Sequence, residues 1–234
     1  MHESPVKPVL MLHGALGCAA DFAPLQAALN GNLLSVAIDF PGHGLLAASP
    51  TDGFSIEKFS KTVHRLASGD KKLHLFGYSM GGYVALYFAS LFPELVDKVF
   101  TLGTKLAWTP ETGAKEAGRL DPTKILEKVP LFAASLAQKH GVDHWEKNVT
   151  RTAAMLRALG EAPPLTNEAL GRIEAEVRIA RGSLDNMVSE EECRQAAGLI
   201  PRASYVCLED QPHPFDKCDP HLLAARLRTF FNEG

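Results

Sequence analysis

No stretch of this 234-residue sequence is apolar for long enough to cross a bilayer. The longest apolar runs, such as Val9-Leu10-Met11-Leu12 and Tyr83 to Leu91, fall short of the roughly 20 residues a span requires. There is also no basic block of the kind that tracks a phosphate backbone, and 24 Lys and Arg stand against 27 Asp and Glu, a formal charge of -3. Neither a membrane nor a nucleic acid is an expected partner. Cysteine is sparse: Cys18, Cys193, Cys207 and Cys218 show no C-x-x-C pair or metal-type spacing, so reduced side chains are expected rather than a disulfide or zinc framework. The nine histidines include no H-E-x-x-H pair, and no metal site is predicted. The opening residues, Met-His-Glu-Ser-Pro, lack the charged region, apolar region and cleavage site of a secretory signal, which leads to a cytoplasmic expectation. Internal repeats and low-complexity tracts are absent as well.

What is there is the composition of a folded globular chain, 46% apolar and 22% charged, at a length suited to one domain with an insertion. Short apolar runs bounded by turn residues recur at Val9 to Leu12, Leu34 to Ile38, Leu73 to Phe76, Val99 to Leu102, Val177 to Ala180 and Tyr205 to Leu208. Each reads as a buried strand. Between them, apolar residues return every three or four positions at Phe22 to Leu29, Ile56 to Ala67, Met80 to Leu91, Glu190 to Leu199 and His221 to Phe231, the pattern of helices. Strand and helix alternate, which predicts an α/β fold with a parallel sheet covered on both faces. The alternation breaks after Thr104, where helical patterns at Thr123 to Gln138 and His144 to Ala158 precede Pro163-Pro164. A structureless loop of that length is improbable in a compact domain, so residues 105–165 are read as a helical cap inserted after the fourth strand. The core is then 1–104 and 166–234.

Gly77-Tyr78-Ser79-Met80-Gly81-Gly82 follows the third strand and opens a helix. That is the strand, turn, helix context of a G-x-S-x-G nucleophile elbow, in which a tight turn presents the serine hydroxyl above the sheet. The structural alternative is a glycine-rich turn used only for helix packing. A serine hydroxyl is a weak nucleophile and needs a base within hydrogen-bond reach, with a third group to fix the base's tautomer.

With these motifs the chain resembles the α/β-hydrolase superfamily over nearly its whole length. His13-Gly14-Ala15-Leu16-Gly17 is similar to the family's HG-x-x-G loop, and Asp39-Phe40-Pro41-Gly42-His43-Gly44 to its D-x-P-G-H-G turn. The resemblance implies Ser79 as nucleophile, His213 in the loop after the last strand as base, and Asp185 in the loop after the preceding strand as the acid that orients it. It also implies an oxyanion hole from the backbone N–H groups of Ala15 and Met80. The expected fold is about six mostly parallel strands flanked by helices, without an opening antiparallel hairpin. Pro212 stands where the family often has glycine before its histidine.

His43 is expected to be structural and His13 to bond to backbone, while His64 and His74 are assigned to solvent or surface positions. The loop after Leu102, Gly103-Thr104-Lys105, offers no carboxylate as an alternative to Asp185, and Asp210 is too close to His213 in sequence to be its usual partner. Trp108, Phe132, Trp145 and Met155 are candidates to line an apolar pocket under the cap, against the reading that they are simply core. The expected activity is hydrolysis of a small or medium carboxylic ester or a thioester, with a small-molecule acyl substrate and no cofactor. A C–C bond hydrolase or menaquinone-pathway-type lyase is the second reading, although Tyr83 occupies the place where the lyase would be expected to carry arginine. A ligand receptor that kept the fold is the third.

Overall fold

A computed structural model describes residues 8–67 and 72–232. Its centre is a six-stranded sheet of β1 (Val9–Leu12), β2 (Ser35–Ile38), β3 (Leu73–Tyr78), β4 (Val96–Leu102), β5 (Glu176–Leu184) and β6 (Ala203–Pro212). The spatial order is β2-β1-β3-β4-β5-β6 and every neighbouring pair is parallel. The reversal of order around β1 is the switch point of a doubly wound sheet, and ligand sites in such sheets lie beyond the carboxyl ends of the strands. All six strand positions read from the sequence are occupied, but β2 is not buried as expected: it lies at the edge of the sheet, and Val36 is 47% exposed. The observed strands run longer where polar residues such as Lys98 and Glu176 pair in the ladder, because pairing continues past the apolar stretch.

Helices cover both faces. On one side α2 (Ile56–Leu66), α3 (Met80–Leu91) and α9 (Glu190–Leu199) pack with Phe59, Val84, Phe88, Val99 and Ile179 in the larger apolar cluster. On the other, α1 (Ala23–Leu29) and α10 (Pro220–Asn232) enclose Val9, Phe22, Phe76, Phe100 and Leu227. Burial of both faces explains why β1 and β3 read as continuous apolar runs rather than as alternating ones.

Between β4 and β5 lie α4 (Pro110–Gly118), α5 (Pro122–Lys128), α6 (Pro130–His140), α7 (Trp145–Glu161) and the short α8 (Asn167–Gly171). The single helix expected over Thr123 to Gln138 is two helices. Val129, at φ -139° and ψ 61°, both closes α5 and opens α6, because Pro130 disfavours a helical residue before it. A turn of α4 was hidden from periodicity by Gly113 and its small neighbours. There Gly113 lets α4 approach Gly160 of α7 closely. Leu16, Ile125, Ala133, Leu136, Trp145 and Val149 form a separate small core among these helices. Met155 and Leu159 of α7, by contrast, belong to the main cluster. Among the described residues no helix is long and apolar enough to cross a membrane, and no group of three His, Cys, Asp or Glu is placed to hold a metal.

Candidate active site

Ser79 sits between the last residue of β3 and the first of α3, with φ 50° and ψ -115°. A non-glycine residue in that region is strained, and strain of this kind persists only where the surroundings over-determine it. Here they do: Ser79 N–H donates to Leu102 O at 2.8 Å, and Ser79 O accepts from the Thr104 hydroxyl at 3.1 Å. The turn is also closed by glycine. A Cβ on Gly77 would run into Gly82, and one on Gly81 into the carbonyl of Leu12, both backbone contacts that cannot yield.

The carboxyl ends of five strands meet around this serine. Gly14 and Ala15 follow β1, Gly103 follows β4, Asp185 follows β5 and His213 follows β6. His213 Nδ1 lies 2.8 Å from Asp185 Oδ2. The second carboxylate oxygen, Oδ1, accepts the backbone N–H groups of Met187 at 2.8 Å and Val188 at 3.0 Å. Burial pushes the Asp185 carboxyl up, but the bonds from His213, Met187 and Val188 outweigh it and hold the group below its ordinary value. Gly103, at φ 60°, lies directly against the pair: a Cβ there would stand 3.2 Å from Asp185 Oδ2 and 3.3 Å from His213 Nδ1. The His213 loop is further held by Tyr78, whose hydroxyl donates to His213 O at 2.8 Å. Pro212 fits as the last residue of β6, paired with Leu184 across a ladder irregularity, and Asp210 takes φ 58° to make the turn.

Ser79, Met80, Ala15 and His213 border one cavity of about 90 Å³. Its remaining wall is largely apolar and comes from Ile56, Tyr83, Trp108, Met155, Leu156 and Leu159, with Lys105 and Glu116 as its charged members. Of the four cap residues singled out from sequence, Trp108 and Met155 line this cavity. Trp145 does not; it is buried in the small apolar cluster with Leu16, Ile125 and Val149. Phe132 instead lines a larger cleft of about 550 Å³, on the α1 and α10 side, which contains neither Ser79 nor His213. Periodicity marks which cap residues are apolar but cannot tell which face of a helix looks at the sheet edge. Tyr78, Met187 and Lys105 were passed over. The middle position of G-x-S and the two residues after Asp185 were the available signals.

His13 bonds to backbone as expected. Its Nδ1 donates to Gly14 O at 2.9 Å and its Nε2 accepts from Phe40 N–H at 3.2 Å, which fixes a neutral tautomer. His43 is buried with Nδ1 3.3 Å from Pro41 O, and His64 is exposed. His74 corrects its surface assignment: it is buried, 5.3 Å from the Phe231 ring and 3.9 Å from Asp97, because the start of β3 is covered by the end of α10. At the end of α6, His140 is a structural link rather than a wall of the cavity. Its Nε2 donates to Leu16 O and its Nδ1 accepts from Gly44 N–H, both at 3.0 Å. His144 borders a shallow groove with Lys147 and Arg151, away from Ser79.

Burial lowers His13 to about 4 and also lowers His43 and His140. Folded values below the unfolded one mean that the unfolded chain binds more protons, so stability is full above about pH 6.5 and falls as pH drops toward the folded values. For His13 alone, moving from pH 7 to pH 5 should remove about 2 kcal/mol. Urea unfolding midpoints should therefore fall clearly over that interval, and a constant midpoint would contradict neutral burial of these imidazoles.

A family model described as the alpha/beta hydrolase fold matches residues 7–174. A serine hydrolase-like protein of Homo sapiens is 38% identical over 102 residues, covering 42% of this chain and 50% of that protein. A 2-succinyl-6-hydroxy-2,4-cyclohexadiene-1-carboxylate synthase of Yersinia pestis (strain Pestoides F) is 40% identical over 90 residues, or 38% of this chain and 32% of that protein. The chain thus spans half or less of the length of these curated relatives. Among solved structures, NosK from Streptomyces actuosus superposes with a TM-score of 0.81 at 21% identity, covering 97% of this chain and 98% of that one. At that identity the likeness is one of fold.

Proposed function

The chain belongs to the alpha/beta hydrolase fold family, and we propose that it is a serine hydrolase acting on a small or medium carboxylic ester or a thioester. One observation carries this reading: a strained serine at the elbow shares a cavity with a histidine whose other nitrogen is fixed by a buried carboxylate at 2.8 Å. Asp185 accepts Nδ1–H, so His213 presents a bare Nε2 as base. Ser79 Oγ attacks the acyl carbonyl while His213 takes its proton. The N–H groups of Ala15 and Met80, the latter at the N-terminus of α3, receive the oxyanion. The imidazolium returns its proton to the departing alkoxide or thiolate, and water activated by the same histidine then clears the acyl-enzyme. Residues 105–165 serve as the substrate-facing cap, with Trp108 and Met155 against the acyl chain.

The similarity to the Yersinia synthase keeps the lyase or C–C hydrolase reading as the alternative. It is less favoured because Tyr83, an uncharged residue whose hydroxyl accepts from Leu165 N–H at 3.2 Å, faces the cavity in the place expected of arginine.

Fluorophosphonate labelling with mass mapping tests the assignment. The adduct is expected on Ser79 in the wild-type protein, with no adduct in His213→Ala. A folded wild-type protein that takes no label would favour the receptor reading, and one labelled on another residue would remove Ser79 as the nucleophile.

A further inference from the structure

We propose that the acyl part of the substrate ends in a carboxylate and that Lys105 is the residue that recognises it. This deepens the hydrolase reading and rests on it.

Lys105 follows Gly103-Thr104 at the end of β4, in the loop that presses on the Asp185 and His213 pair, and it lines the same cavity as Ser79. A cation is an unusual choice among Met155, Leu159 and Trp108, because shielding an ammonium group from water is costly unless an acceptor replaces that water. The amine has an ion-pair neighbour, Glu192 Oε2, at 3.9 Å. That separation is too long for a hydrogen bond. Glu192 is moreover already engaged on both oxygens. Oε1 accepts the N–H groups of Leu106 at 2.8 Å and Ala107 at 3.4 Å, and Oε2 accepts the N–H and hydroxyl of Ser189 at 3.0 and 2.9 Å. The buried carboxylate thereby pins the 105–107 backbone to the start of α9. Trp108 braces the same turn, donating its indole N–H to Lys105 O at 3.1 Å and placing its ring 6.0 Å from the amine.

Lys105 is therefore held on a fixed loop, its amine ion-paired to Glu192 only at 3.9 Å and its side chain 21% exposed, which leaves its N–H donors able to meet a ligand. The acid that lines the cavity, Glu116, is taken up by Arg119 at 2.8 Å, which biases an anion toward the Lys105 end. At about 90 Å³ the cavity suits a short chain, so a half-ester of a short dicarboxylic acid could set its ester carbonyl at Ser79 and its free carboxylate at Lys105. A charge-assisted hydrogen bond in a shielded setting corresponds to about a 10- to 100-fold effect on recognition.

The test compares the 4-nitrophenyl half-ester of glutaric acid with 4-nitrophenyl pentanoate, which carries methyl where the half-ester carries carboxylate. Spontaneous hydrolysis is subtracted using Ser79→Ala. The wild-type protein should prefer the half-ester in kcat/KM, and Lys105→Met should reduce that preference about 10- to 100-fold, chiefly through KM, with Lys105→Arg restoring much of it. Added salt should weaken the preference in the wild type and in Lys105→Arg but not in Lys105→Met. In parallel, monomethyl glutarate is titrated calorimetrically into Ser79→Ala, where it cannot be consumed. Binding should weaken to the same extent on adding Lys105→Met. No preference in the wild type, or a preference and a binding constant indifferent to Lys105→Met, would overturn the proposal and leave Lys105 as a structural partner of Glu192. Lysine-dependent binding without any turnover would instead overturn the hydrolase reading and keep the anion site.

Discussion

Ser79→Ala should lower kcat for a simple nitrophenyl ester by about four to six orders of magnitude while leaving the fold intact. The loss is large because the remaining members of the site work only through the serine oxygen. In the proposed mechanism the N–H groups of Ala15 and Met80 meet a charge only after Oγ has attacked, and without Oγ the only nucleophile left to His213 is an unpositioned water. Alanine keeps the Cβ and the φ of 50°, so Gly77, Gly81 and the Thr104 bond to the residue 79 carbonyl are undisturbed. An unchanged urea midpoint would show that chemistry alone was removed. A Ser79→Ala protein retaining a tenth of the wild-type rate would mean that another group performs the hydrolysis.

Asp185→Asn should cost about 10³- to 10⁴-fold in kcat with little change in KM. The two carboxylate oxygens face different partners, and this decides how an amide must sit. Oδ1 meets two backbone donors, from Met187 and Val188, so the amide oxygen is drawn there. The NH2 group must then occupy the Oδ2 side and donate to His213 Nδ1. That forces the imidazole proton onto Nε2, the atom that should be receiving the serine proton. The variant would keep the histidine in position with the wrong tautomer. Pre-steady-state and steady-state rates should fall together, and substrate binding should persist. Activity within tenfold of the wild type would remove Asp185 from the orienting role.

Much of this architecture was legible in the sequence because two strong signals agreed. Parallel strands covered on both faces have to be short apolar runs, as β1 and β3 are, and the half-exposed edge strands β2 and β6 carry enough of the same pattern to be read with them. The elbow needs glycine on both sides of Ser79, and backbone contacts at Gly77 and Gly81 supply the reason. Asp185 was implied by the family resemblance, and the structure gives the physical ground for it: β5 and β6 are neighbours, so the loops at their carboxyl ends emerge side by side. The cap was read less well. Trp145 and Phe132 have the same apolar character as Trp108 and Met155, and only tertiary packing separates a cap core from a cavity wall. His74 looked polar enough for the surface because nothing local reveals that α10 ends over it. The Lys105 and Glu192 arrangement joins residues 87 positions apart, and no window along the chain contains both.

The all-parallel sheet also bears on how the chain assembles. No two neighbouring strands are joined by a tight turn, and completing the β4 to β5 pairing requires segments separated by five helices to meet. Chains emerge N-terminus first. Ala15, Ser79 and Met80 are therefore synthesised, and can begin to pack, well before the strands that carry Asp185 and His213. On the proposed triad, a nascent chain with its elbow formed has a serine but no base, and is expected to stay chemically silent until β5 and β6 dock. If Ser79 labels as proposed, the rate at which that reactivity appears should follow the docking of β5 and β6.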